Sequence, residues 1–374
     1  MLLRSETAQE VQRSLERIPK LKCLVGFDGF IDELVEVVNT RESSEKYTVL
    51  ETISQFGERI SRAAGKSTNL EMLPKQKKLG GNGPIMSNAL TTFGFDSSYI
   101  GCLGYPALDP VFTEFAEKTS VYSVAEPGYT HAAEFNDGKI MLGKYACLDE
   151  VNYKNILDRV GNEKFPSIWN QSDFIGVTNW TMLNHMTALW KSILADIYGN
   201  QKPDFSRFLF FDLADPEKRT PEDIKECLAT VAQFAKYNTV VFGCNEKESM
   251  EIAAILQLPE VEESPEGLQK RASAMREKMA VQNVVIHPVK YAVAVNESGT
   301  ACVDGPFVER PKISTGAGDH FNAGFCLGFV LGLPLEKCLL TGVGTSGFYV
   351  RNAASPSANE LCDFLNSWEG DAAV

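Results

Sequence analysis

The chain has 374 residues, 44% hydrophobic and 23% charged, the composition of a soluble globular protein with ample material for a sizeable core. Its formal net charge of −13 and pI near 5.0 argue against a nucleic-acid or anionic-membrane partner, though a local cradle can still hold an anionic substrate. Nine cysteines, with no C-x-x-C and no Cys–His cluster of zinc-like spacing, point to a reducing cytoplasm without disulfides or structural metal.

The first residues carry Val11, Leu15 and Ile18 at spacings of four and three among charged neighbours, which predicts an amphipathic helix and not a signal peptide. Apolar β-like runs follow at 21–27, 99–103, 174–177, 208–212, 239–243, 284–287 and 292–295, with amphipathic helices at 221–237 and 265–280 among them. These strands lack strict alternation, as strands buried on both faces do. The alternation of strand and helix predicts a doubly wound, mostly parallel α/β sheet, with its active site beyond the carboxyl ends of the strands. Residues 31–50 and 129–144 break the pattern as short extended segments, the second around an Asn136-Asp137-Gly138 turn suited to a hairpin. They are expected to form a small β lid on a single domain spanning 1–374. Residues 56–79 hold six lysines and arginines with little apolar periodicity, and read as a helix followed by an exposed loop. The apolar run 321–335 is short for a membrane span and reads as a core helix.

Four clusters carry the chemistry. Gly316-Ala317-Gly318-Asp319 is a glycine turn feeding that core helix, where main-chain amides and the helix dipole favour an anion. Asp319 beside it is suited to take a proton from an attacking hydroxyl, and the helix N-terminus is expected to keep it ionised at neutral pH. The plainer reading is a cap on the helix. Gly80-Gly81-Asn82-Gly83-Pro84 precedes an apolar helix ending near Gly94, and its glycines allow close backbone approach to a ligand. Asp28 and Asp32 follow the first strand, where carboxylates can accept hydrogen bonds from sugar hydroxyls or simply form a turn. Asn245 and Glu248 open a helix either as a capping box or as oxygen ligands near magnesium.

These clusters resemble the PfkB, or ribokinase-like, family of carbohydrate kinases. The resemblance rests on Thr315 to Asp319 with Phe321-Asn322-Ala323-Gly324-Phe325, on Asn245 and Glu248 as an N-x-x-E motif, on Gly80-Gly81, and on Asp212 with Arg219. It implies a ribokinase-like fold and ATP-dependent phosphorylation of a hydroxyl on a sugar or sugar-like metabolite. Asp319 would be the base, and the amides of Gly316, Ala317 and Gly318 the anion hole. Asp28, Asp32, Gly80, Gly81 and Asn82 would bind the acceptor. Asn245, Glu248, Thr315 and Asn352 would serve the nucleotide side, the first two holding magnesium through water. The lid would exclude water, and its Val35, Val37 and Val38 could pair two subunits. Ile313 stands where many members carry an aspartate linked to a monovalent-cation site, which argues against potassium activation. Ile85, Pro106 and the His287-Pro288-Val289-Lys290 turn also depart from the pattern, and His320 replaces a small residue. A neutral sugar is favoured over a sugar phosphate, since no basic cluster for a second phosphate stands out. An ADP-dependent sugar kinase, or a catalytically inactive kinase fold acting as a ligand sensor, are the alternatives.

Overall fold

The computed structural model describes residues 2–199 and 201–368. Its strands are β1 (Lys22–Gly26), β2 (Phe30–Arg41), β3 (Tyr47–Val49), β4 (Met72–Gly80), β5 (Asp96–Gly101), β6 (Ser120–Ser123), β7 (Gly128–Phe135), β8 (Gly138–Lys144), β9 (Phe174–Thr178), β10 (Phe208–Asp212), β11 (Thr239–Cys244), β12 (Asn283–Ile286), β13 (Tyr291–Asn296) and β14 (Gly299–Asp304). A nine-stranded sheet runs in the order β14-β13-β12-β11-β10-β9-β1-β5-β6. Every pair from β12 to β6 is parallel, and only the β12–β13–β14 meander is antiparallel. Leu24, Leu209, Phe211 and Val240 enter the core on one face, while Cys23, Val25, Phe208, Phe210 and Val241 enter a second core on the other. Burial of both faces is why these strands read as apolar runs without alternation. The strand expected at 99–103 begins three residues earlier, at Asp96. Polar Ser97 and Ser98 hide its start, and Ser97 is satisfied inside by the Ser87 hydroxyl at 3.0 Å.

A second sheet, β3-β2-β7-β8 with β4 also paired to β2, collects both extended segments. Residues 56–79 are not simply a helix and a loop: a helix at Ile53–Ser61 is followed by β4, which runs antiparallel to β2 from Gly80 opposite Phe30 to Met72 opposite Val37. The strand was hidden because it is an edge strand, with Pro74 and lysines on both faces. Lys75 pairs with Glu36 at 2.7 Å and Lys77 with Glu33 at 3.6 Å, so its charges are cross-strand partners on β2. Val35 and Val37 pack with Leu50, Phe56 and Ala133 in a small core of this sheet's own. With Val38 buried as well, the three valines expected to face a second subunit are covered within the chain.

Helix Ala317–Val330 lies against the main sheet and is buried from Asp319 through Gly328. It packs on helix Leu335–Asn352 at a distance only glycine permits. A Cβ on Gly324 would lie 2.4 Å from the Thr341 carbonyl and 2.3 Å from its neighbour Thr345 Oγ1. This close contact sets the depth at which Asp319 sits. No helix among the described residues is long and apolar enough to cross a membrane.

Gly324→Ala should therefore destabilise the fold. Alanine gains about 1 kcal/mol of helix propensity over glycine, but overpacking against a main-chain carbonyl typically costs about 1–3 kcal/mol or more. Urea denaturation should give a lower midpoint at unchanged slope, whereas an unchanged or raised midpoint would contradict the packing account.

Candidate active site

The carboxyl ends of β1, β9, β10 and β11 face the N-termini of two helices, Asn82–Phe93 and Ala317–Val330. Asp28, just past β1, reaches across to the first of these and accepts from the amides of Asn82 and Gly83, both at 2.9 Å. It caps a helix whose own N-cap residue, Gly81, has no side chain to do so. Asn179, at the end of β9 with φ of 58°, donates its side-chain amide to the same carboxylate at 2.8 Å. The Tyr99 hydroxyl is nearer to the Asp28 carbonyl, at 2.7 Å, than to Oδ1, at 3.2 Å. Burial, set against these hydrogen bonds, pushes the Asp28 carboxyl up to about 6.

The close approach that the glycine run permits is to these aspartates. A Cβ on Gly83 would stand 2.6 Å from Asp28 Oδ1, and one on Gly80 2.6 Å from the Asp32 carboxylate. Gly81 carries the positive φ, 99°, and Gly83 does not. Asp32 differs from Asp28 in having no hydrogen bond to its carboxylate among the described residues, so its lone pairs face the adjoining cavity. Burial raises it, with Lys78 and Lys139 opposing.

Asp319 is buried and accepts from Asn82 Nδ2 at 2.9 Å. Its carboxyl is raised well above the usual aspartate range, by burial first, then by Asp212, with Asp28 and Glu248 adding. Desolvation and three acidic neighbours thus work against the ionised form, which the helix N-terminus favours. Asp212, at the end of β10, accepts from Ala214 N at 2.9 Å and Asn322 Nδ2 at 2.7 Å, and burial lifts it to about 6. Asn322 lies on the same helix as Asp319, and its Oδ1 is buried without a partner.

Glu248 and Asn245 form the expected capping box. Glu248 accepts from the amides of Asn245 and Asp215, each at 2.8 Å. Ala214 and Asp215 both adopt left-handed backbone, φ of 56° and 58°, to deliver the second amide. Such residues cost of order 1–3 kcal/mol each, and strain of this kind gathers at functional sites. Burial, then Asp212, raise Glu248 to about 7. For Asp212, Glu248 and Asp319, every interaction that opposes the rise is a hydrogen bond, and none is a cationic side chain. An acidic set with no internal cation suits a hard divalent ion.

The turn before Asp319 differs from expectation in one amide. Gly316 has φ of 91°, but Ala317 N donates to the Ser314 carbonyl at 3.1 Å and is committed there. The amides of Gly316 and Gly318 remain. On one side of the turn lies a cavity of about 350 Å³, lined by Asn245, His287, Gly318 and the apolar Val308, Phe321 and Val350. On the other lies a more polar one of about 590 Å³, lined by Asp32, Lys78, Ile85, Asn88, Thr315 and His320. Thr315 thus belongs to the polar side, and Asn352 lines neither cavity, its amide turning back to the Phe348 carbonyl at 2.9 Å. His287 faces the apolar side with Nε2 unpartnered, its ring tilted 32° to that of Phe321 at a centroid distance of 4.6 Å.

Sequence reasoning passed over Asn179, whose only sign was an asparagine after a strand, and Tyr349, which lay in an apolar run. Asn322 stands out in sequence only as part of the Phe321–Phe325 motif.

A family model described as prokaryotic ketohexokinase matches residues 3–368. A ketohexokinase of Haloferax volcanii is 29% identical over 355 residues, covering 94% of this chain and 93% of that protein. Among solved structures, Arabidopsis thaliana ribokinase complexed with ribose and ATP is 14% identical with a TM-score of 0.62, covering 92% of this chain and 98% of the other. Thermotoga maritima ribokinase is 16% identical with a TM-score of 0.61, covering 93% and 99%. The fold is thus ribokinase-like, and the chain belongs to the prokaryotic ketohexokinase family of carbohydrate kinases.

Proposed function

We propose that the chain transfers the terminal phosphoryl group of ATP to a hydroxyl of a ketohexose, with Asp319 as the base. The observation that carries this reading is the position of Asp319: buried at a helix N-terminus, behind a glycine turn that separates an apolar cavity from a polar one. The apolar cavity suits a nucleotide base, with Asn245 in its lining. The polar one suits a sugar, whose hydroxyls Asp32 and Asn88 in its lining can bind. Asp28 acts mainly by holding Asn82, and Asn82 by holding Asp319. The amides of Gly316 and Gly318 bind charge that develops on the transferred group. Glu248 and Asn245, with Asp212 close by, are the residues that would hold magnesium, directly or through water. When bound, that ion supplies positive charge to the acidic set and to the phosphate oxygens.

In this reading the acceptor hydroxyl keeps its proton until late, because phosphoryl transfer has a loose transition state. Asp319 orients the hydroxyl and then collects the proton, which its raised affinity favours. The second sheet is the lid: β2, β4, β7 and β8 close the sugar side and keep water from competing as acceptor. ADP release, measured with ATP and a panel of ketohexoses, aldohexoses and pentoses, tests the reading. Turnover with a ketohexose is expected, and its absence with every sugar would sink the proposal.

Asp319→Asn should lower kcat by about 10²–10⁴-fold, the range for loss of a general base, while calorimetry still records nucleotide binding. Comparable turnover in the variant would remove Asp319 from its role. The base works only when ionised, and its carboxyl is raised, so kcat/KM should fall with decreasing pH at an apparent pKa above the ordinary 3.8. Asp212→Asn removes one neighbouring negative charge and should move that acid limb to lower pH. A pH–rate profile with no limb above the ordinary carboxylate range would contradict the assignment.

A further inference from the structure

His320 follows the base directly, yet its ring turns back onto the glycine turn. Its Nδ1 lies 2.7 Å from the Gly316 carbonyl, which fixes that nitrogen as the protonated one, since a carbonyl only accepts. Nε2 is then the acceptor, and the Ser355 hydroxyl donates to it at 2.8 Å. Asn88 Nδ2 holds the same hydroxyl at 3.3 Å from the facing helix. The imidazole stacks on the Tyr349 ring, centroids 3.6 Å apart and planes 14° from parallel. The Tyr349 hydroxyl donates to the Thr315 carbonyl at 2.9 Å. Burial holds His320 down at about 4, so the neutral ring this network requires persists at ordinary pH.

These two donors take the carbonyls of successive peptides in the turn. In a trans peptide the N–H points opposite to the C=O. Binding the Thr315 carbonyl to Tyr349 therefore aims the Gly316 amide away from Tyr349. Binding the Gly316 carbonyl to His320, by Nδ1 and by its own main-chain amide at 3.0 Å, locks the next peptide, whose N–H closes on Ser314. A glycine at φ of 91° has little conformational preference of its own, so the direction of its amides comes from outside. We propose that His320 and Tyr349 are positioning residues for phosphoryl transfer, gripping the turn from behind so that its Gly316 amide meets the transferred group. This rests on the kinase reading above and adds a device to it that the Gly-Ala-Gly-Asp motif does not contain.

The test uses the full chain, with Tyr349→Phe and His320→Phe as variants that keep an aromatic ring but lose the donor. Steady-state turnover of a ketohexose is measured with binding of ADP alone and of ADP with aluminium fluoride, which mimics the phosphoryl group in transfer. Each variant should lose about 10- to 100-fold in kcat, as misplaced catalytic groups do. It should lose affinity for the aluminium fluoride complex by a similar factor, while affinity for ADP alone stays within about twofold. His320→Asn, whose amide can stand in for Nδ1–H, should recover part of the loss. The double variant should cost less than the product of the two, since both act on one turn. Unchanged kcat in both single variants would overturn the inference. So would equal loss of ADP and ADP–aluminium fluoride affinity with a lowered melting temperature, since that is the pattern of a packing role. An inactive parent enzyme would overturn the kinase reading itself, which separates the two failures.

Discussion

An acidic side chain held away from both water and cationic partners is the constraint on which this site depends. Asp319 sits among Asp212, Asp28 and Glu248, and each is satisfied by amides and not by lysine or arginine. Such a cluster is costly for the fold to bury. It is tolerable because main-chain N–H groups are delivered to it from several places at once. The helix N-terminus at Asn82 and Gly83 serves Asp28, and the left-handed turn at Ala214 and Asp215 serves Asp212 and Glu248. The site is in this sense a negatively charged cavity prepared for positive charge and for a proton.

That arrangement also orders the roles along the site. Asp28 appears at first sight equivalent to Asp32, since both follow β1 and both approach the glycine run. Hydrogen bonding separates them: Asp28 is committed to Asn82, Gly83 and Asn179, while Asp32 stands on β2 with its oxygens toward the polar cavity. One carboxylate builds the frame and the other opens onto the cavity. Strand β2 of the second sheet therefore contributes a polar group to the wall of the polar cavity.

Much of this was legible in the amino-acid order. The parallel strands were readable because burial on both faces demands continuous apolar runs, and 208–212 is found at those same residues. The capping box of Asn245 and Glu248 and the αL glycine ending the helix at Gly94 are local chemistry, and local chemistry is written in adjacent residues. β4 was not legible, because an edge strand with charges on both faces has no apolar period, and its lysines find their partners on β2, some forty residues away in sequence. The valines of β2 were misassigned to an intersubunit surface because nothing in sequence tells that Phe56 folds over them.

Sequence alone determined which residues are candidates for the chemistry: the glycine turn, Asp319 after it, Asn82 in the diglycine segment and Glu248 three residues past Asn245. It did so because tight turns and caps need particular residue types at particular short spacings. Only tertiary structure decided the burial that raises the Asp319 carboxyl, the commitment of the Ala317 amide to Ser314, and the turn of His320 toward Gly316, Tyr349 and Ser355. Those outcomes depend on burial and on partners brought together from distant segments, and neither is encoded in any one stretch of chain.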